Sequence, residues 1–156
     1  MKPEEIQQIK DAIEELLDKM TVRVLALSLE PSLEENAKEA IGARVTVEDP
    51  QILIGQNGAT LVELQRLLRI MLNKKLKKDF YLQLDINDYK KKKIEHVKDL
   101  AMSAADEVVS TKKKKVLPPM SSYERRIVHT ELSLRQDVAT ESQGEGFERC
   151  VVVSPK

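Results

Sequence analysis

One cysteine, no tryptophan and two histidines in 156 residues set the first limits on this chain. A lone Cys150 excludes an internal disulfide. Together with only His96 and His129 it also excludes a structural zinc site of the usual Cys/His type. Aromatic residues make up 3% of the chain, too few for a sheet that binds by stacking many rings on bases. Phe80, Tyr81 and Phe147 are expected in the core or half-buried against it. No apolar run approaches the ~18–20 residues that cross a bilayer. The start, Met1 to Ile13, is acidic and amphipathic and has neither the basic nor the apolar region of a secretory signal. These absences predict a protein of the reducing cytoplasm.

Chemistry is also scarce. There is no Gly-x-x-x-x-Gly-Lys-Ser/Thr phosphate loop and no Gly-x-Ser-x-Gly elbow. No spacing singles out an acid, base or nucleophile, so the chain reads as a binding protein without metal or cofactor, and not as an enzyme.

Net charge is zero, which by itself argues against a nucleic-acid partner. Its distribution argues the other way. Residues 1–50 hold 6 basic and 12 acidic groups, residues 66–115 hold 15 basic and 7 acidic. A basic middle attracts phosphate, while the acidic first helix (Glu4, Glu5, Asp11, Glu14, Glu15) suits a protein partner.

Periodicity orders the elements. Ile6, Ile9, Ile13, Leu16, Leu17 and Met20 form a helical stripe over 3–20, with Pro3 suited to its first turn. Residues 22–29 read as a strand ended by Pro31, and 43–48 as a second strand. Residues 32–41 read as a loop or a short helical turn. A short apolar helix at 51–54 precedes a glycine-bracketed loop, a helix spans 59–76, and 80–86 alternates as a third strand. Asn87 or Asp88 is expected to cap a helix over 89–111. After the rigid connector Val116–Met120, Ser121 or Ser122 caps a helix over 123–132, and 138–142 with 148–154 form a hairpin. This order predicts an α+β chain with two small domains, 1–86 and 87–156. The first is a three-stranded sheet with helices on one face; the second is helices plus a short sheet.

Two constellations carry binding chemistry. In the first, Gly55-Gln56-Asn57-Gly58 lies between two helices. Its glycines permit close backbone approach, and the following helix offers free N–H groups and a positive dipole end to an anion. Gln56 and Asn57 supply hydrogen-bond donors without charge. Arg66 and Arg69, with Lys74 and Lys75 farther along, are expected to compensate. In the second, Arg125 and His129 are four apart and share a helix face, with Arg126 beside them. Arginine provides a fixed planar charge for phosphate, and histidine a donor or stacking ring.

Residues 1–86 resemble a KH domain of the bacterial topology, in which a Gly-x-x-Gly loop holds the backbone of about four nucleotides. Leu117-Pro-Pro-Met120, Tyr123 to His129, Thr140-Glu-Ser142, Gly144, Arg149 and Val151–Val153 together resemble an R-3-H (Arg-three-residues-His) domain. A KH domain followed by this second domain is similar to the Jag family of bacterial proteins. The resemblance implies binding of single-stranded RNA, with single-stranded DNA as a second ligand. It implies Gly55 to Gly58 as the loop and Arg125 and His129 as the signature pair. Members of that family often carry a further N-terminal domain before the KH unit, which this sequence does not show. A protein–protein adaptor using the same fold is the alternative.

Overall fold

Helix α1 (Pro3–Lys19) begins where the Lys2 backbone N–H donates to Glu5 Oε2 at 2.7 Å. Glu4 and Glu5 lie near the positive end of its dipole and Lys19 near the negative end. Its stripe buries Ile9, Ala12, Ile13 and Leu17. In the computed structural model, residues 2–32 and 39–156 are described, and the chain forms two units, Met1–Tyr89 and Lys90–Lys156.

In the first unit, β1 (Val24–Pro31) pairs antiparallel with β2 (Ala40–Val47), and β2 pairs parallel with β3 (Tyr81–Ile86). Pro31 ends β1, as expected, and as its last residue still pairs with Ile41. An edge strand tolerates proline because the missing N–H falls where no neighbour needs it. An irregularity between Val24 and Ala26 leaves Leu25 exposed. The reading of 32–41 as loop or turn falls largely on residues 33–38, outside the described residues.

A parallel pair needs a long crossover, and here α2 (Gln51–Ile54), a 3-10 turn (Gln56–Gly58) and α3 (Ala59–Leu76) supply it. Strict alternation in β2 and β3 sends Ile41, Ala43, Val45, Val47, Leu82, Leu84 and Ile86 to one face. There they pack with the stripes of α1 and α3 and with Leu53 of α2. The opposite face carries Arg44, which pairs with Glu30 at 3.2 Å. Asn87, one of the two residues expected to cap the next helix, uses its side chain on β2 instead. Its amide brackets Val47, accepting from the backbone N–H at 2.9 Å and donating to the carbonyl at 3.1 Å, so β2 and β3 are tied together at their C-terminal ends.

The second unit contains α4 (Tyr89–Thr111) from Lys90 onward, β4 (Lys115–Val116), α5 (Ser122–Ser133), β5 (Val138–Gln143) and β6 (Cys150–Pro155). The strand order is β4-β6-β5, antiparallel throughout. Small residues on α4, Ala101, Ala104 and Ala105, are fully buried with Val97 and Val108 and let the helix sit close to Val128, Leu132, Val151 and Val153. Ser121 caps α5 reciprocally: Glu124 N–H donates to Ser121 Oγ at 3.3 Å, and Ser121 N–H donates to Glu124 Oε2 at 2.7 Å. Among the described residues, no helix is long and apolar enough to cross a membrane.

Candidate nucleic-acid interfaces

The glycine-bracketed loop interrupts the crossover between the parallel strands. Gly55 has φ 69° and ψ −172°, a conformation essentially reserved for glycine. A Cβ there would lie 2.1 Å from Thr60 Oγ1 and 2.7 Å from Thr60 Cβ. Gly58 has φ 81°, and a Cβ there would lie 2.8 Å from a ring carbon of Tyr89. Both glycines are therefore favoured by dihedral, and Gly55 is required by packing as well. Asn57 also takes a left-handed conformation, at φ 53°, which asparagine tolerates better than most residues. Gly58 is buried, while Gln56 and Asn57 are exposed. The turn thus presents two amide side chains at the head of the 18-residue helix α3. Apolar side chains stand exposed on both sides of it: Ile52 on α2 and Val62 in the first turns of α3.

The basic residues of α3 do not form one group. At about 100° per residue, the buried set Leu61, Leu64, Leu68 and Leu72 defines the core face. Arg66 and Arg69 fall on one flank with Val62. The Arg69 guanidinium sits 5.8 Å from the centroid of the Tyr81 ring, beside β3. Lys74 and Lys75 fall toward the other flank, where Lys75 lines a cavity with Glu15 and Lys19 of α1. Lys75 shares that cavity with the Glu15–Lys19 ion pair. Of the four, Arg66 and Arg69 remain as cations sharing a flank with the loop-proximal Val62.

In the second unit, two ion pairs set the rotation of α5. Glu124 meets Lys93 at 3.3 Å and Glu131 meets Lys98 at 3.7 Å, so this flank faces α4. Burial pushes the Glu124 carboxyl up, but the Ser121 hydrogen bonds and Lys93 outweigh that and hold it below the ordinary value. The other flank carries Arg125 and His129, over the edge strand β5. His129 Nδ1 lies 2.7 Å from Thr140 Oγ1, and Nε2 lies 2.8 Å from Ser142 Oγ. Each hydroxyl can donate or accept, so both contacts suit any tautomer of the ring. His129 is thereby a rivet between α5 and β5, and both of its nitrogens are engaged. Arg125, one turn earlier, is half-buried, and among the described residues its guanidinium has no carboxylate partner. Arg126 points outward and is exposed.

Phe147 departs from expectation. Expected in the core or half-buried, it is instead fully exposed, on a 3-10 turn (Gly146–Glu148) at the tip of the β5–β6 hairpin. Phe80 is buried and Tyr81 half-buried, as expected. Phe147 sits in a run of polar residues and glycines with no apolar neighbour at strand spacing, and that isolation is the signal that could have marked it. Tyr123, in the first turn of α5, is also exposed.

Residues 95–155 match the family model described as the R-3-H domain. Across most of its length the chain is similar to curated proteins named "RNA-binding protein KhpB". The protein of Clostridium symbiosum is 34% identical over 144 residues, covering 92% of this chain and 63% of the relative. That of Bacillus subtilis is 36% identical over 124 residues, covering 78% of this chain and 60% of the relative. That of Lactiplantibacillus plantarum is 38% identical over 103 residues, covering 66% of this chain and 32% of the relative. The chain therefore spans at most about two thirds of the length of these relatives.

Proposed function

We propose that this chain, similar over most of its length to proteins named RNA-binding protein KhpB, is a member of the Jag family and binds single-stranded RNA through two sites, the Gly55–Gly58 turn and the Arg125–His129 flank of α5. The observation that carries the reading is the turn itself. Two glycines are locked by Thr60 and Tyr89, and two uncharged donors are held exposed at the head of a long helix. Backbone N–H groups at that end and the amides of Gln56 and Asn57 can together receive a phosphate and read its neighbourhood. Ile52 and Val62 offer apolar surface on which the face of an unstacked base can lie.

In the second site Arg125 supplies the charge, and His129 holds that part of α5 against β5. This divides the signature pair into a ligand-facing residue and a positioning residue. Arg66, Arg69 and Arg126 add longer-range attraction, which makes binding salt-dependent.

The test is a titration of labelled degenerate single-stranded RNA by fluorescence anisotropy, comparing wild type with Gln56→Asp/Asn57→Asp. Aspartate keeps the left-handed conformation at position 57 accessible, so the fold is retained and circular dichroism should be unchanged. Two negative charges at the phosphate position are expected to lower affinity at least tenfold, a change of about 1.4 kcal/mol. Equal affinity of the folded variant would remove the turn from the interface. Absence of any binding by wild type at low salt would favour a second reading, docking of a protein partner. That reading has its own support in Leu67, Ile70 and Met71, which α3 leaves exposed away from its core face.

A further inference from the structure

We propose that Phe147 is a base-stacking residue of the second site, taking one unstacked base of a strand whose phosphate is met by Arg125. This rests on the RNA-binding reading above. Phe147 is fully exposed, yet the segment that carries it is tightly built. The Glu148 N–H donates to the Glu145 carbonyl at 3.2 Å, and the Arg149 N–H donates to the Gly146 carbonyl at 3.4 Å. Gly144, at φ 88°, packs so that a Cβ would lie 3.1 Å from the Glu148 carbonyl oxygen. The backbone of such a turn is already ordered, so binding fixes only the torsions of the ring itself, which favours its use as an anchor.

The hairpin tip also lies beside the right end of α5. The Met120 N–H, next to the Ser121 cap, donates to the Arg149 carbonyl at 3.1 Å. The first turn of α5 is thus adjacent to the tip. Arg125 is nearer that end than His129, which reaches Ser142 just before the tip begins. The Met120–Arg149 contact therefore starts the segments carrying Arg125 and Phe147 from one point of the unit. Glu145 and Glu148 flank the ring and are exposed. Their charges disfavour a phosphate at the tip itself, so a contact there must come from an uncharged group. A nucleobase meets that requirement, and any base will do because each has a π-face.

The experiment uses the whole chain. Phe147→Ala is expected to fold with an unchanged thermal midpoint, because the side chain is fully exposed. It should weaken binding of a short degenerate single-stranded RNA about tenfold, within the range seen when stacking aromatics are truncated. An abasic phosphodiester of the same length and charge should be bound equally by wild type and variant. Phe147→Trp gives the chain its sole tryptophan. It should keep wild-type affinity, and its emission should be quenched by the RNA and not by the abasic strand. Equal RNA affinity of wild type and Phe147→Ala would overturn the proposal while leaving the RNA-binding reading intact. So would an equal loss on RNA and abasic strand, or an emission that the RNA leaves unchanged. Failure of wild type to bind RNA at all would overturn both.

Discussion

The two proposed sites, the turn at Gly55–Gly58 and the flank at Arg125–His129, are built by opposite means. In the first unit the site is made of backbone: side chains are absent at two positions, and the neighbours Thr60 and Tyr89 fill the space where they would be. In the second the site is made of side chains projected from regular elements, an α-helix pinned to a strand by one imidazole. The glycines of the first proposed site cannot be replaced without altering the chain path, so only its side chains at 56 and 57 can be tested alone. A side-chain site can be dissected residue by residue.

Breaking the backbone site should give the largest effect. Gly55→Ala is expected to destabilise the chain by about 3 kcal/mol, combining an unfavourable dihedral with the Thr60 clash. Gly58→Ala should cost less, because the group it meets is the Tyr89 ring, which can swing aside, whereas Gly55 faces the backbone N of Thr60 as well as its side chain. Urea denaturation of both variants checks the order; equal or negligible losses would mean the turn is not locked as described.

The side-chain site should separate stability from binding. His129→Ala removes both contacts to β5 and is expected to cost about 1–2 kcal/mol of stability. Arg125→Ala should leave stability within about 0.5 kcal/mol of wild type. It should instead reduce RNA affinity and lower the dependence of log K on log salt by about 0.7, the share of one phosphate on a single strand. If the two variants behaved alike in both assays, the division into charge and rivet would be wrong.

The smallest effect concerns pH. The carboxyl of Glu124 is held below its ordinary value of 4.5, chiefly by its hydrogen bonds from Ser121 against the opposing effect of burial. A lowered folded-state value means that the stabilisation is complete above the unfolded-state value and is lost as pH falls through the folded-state value. Glu124→Gln can still cap the helix but cannot pair with Lys93. Its unfolding free energy should fall below wild type near neutrality by roughly 0.5 kcal/mol, and the gap should close in acid. A gap that persisted at low pH would show that the difference is not the charge.

The helices α1, α3 and α4, the alternation of β2 and β3, and the two glycines of the turn were legible in the residues, because spacing alone states which side chains share a face. So was the Ser121 cap, since serine three before glutamate is a local signal. Asn87 misled, because a residue suited to capping was drawn instead to Val47, forty positions away in sequence. Arg66 and Arg69 were grouped with Lys74 and Lys75 by composition, although helix rotation divides them.

From the sequence by itself came the elements, their order, the conformational demand for glycine at 55 and 58, and the pairing of Arg125 with His129 on one face. Each depends on contacts within a few residues or on a fixed helical or strand period. Only the tertiary structure decided that β2 and β3 run parallel and that Tyr89 closes over Gly58. It alone showed that Thr140 and Ser142 engage both nitrogens of His129 and that Phe147 stands in solvent. Periodicity says which residues share a face; what that face meets depends on segments far away in the chain, whose approach is settled by packing the whole core.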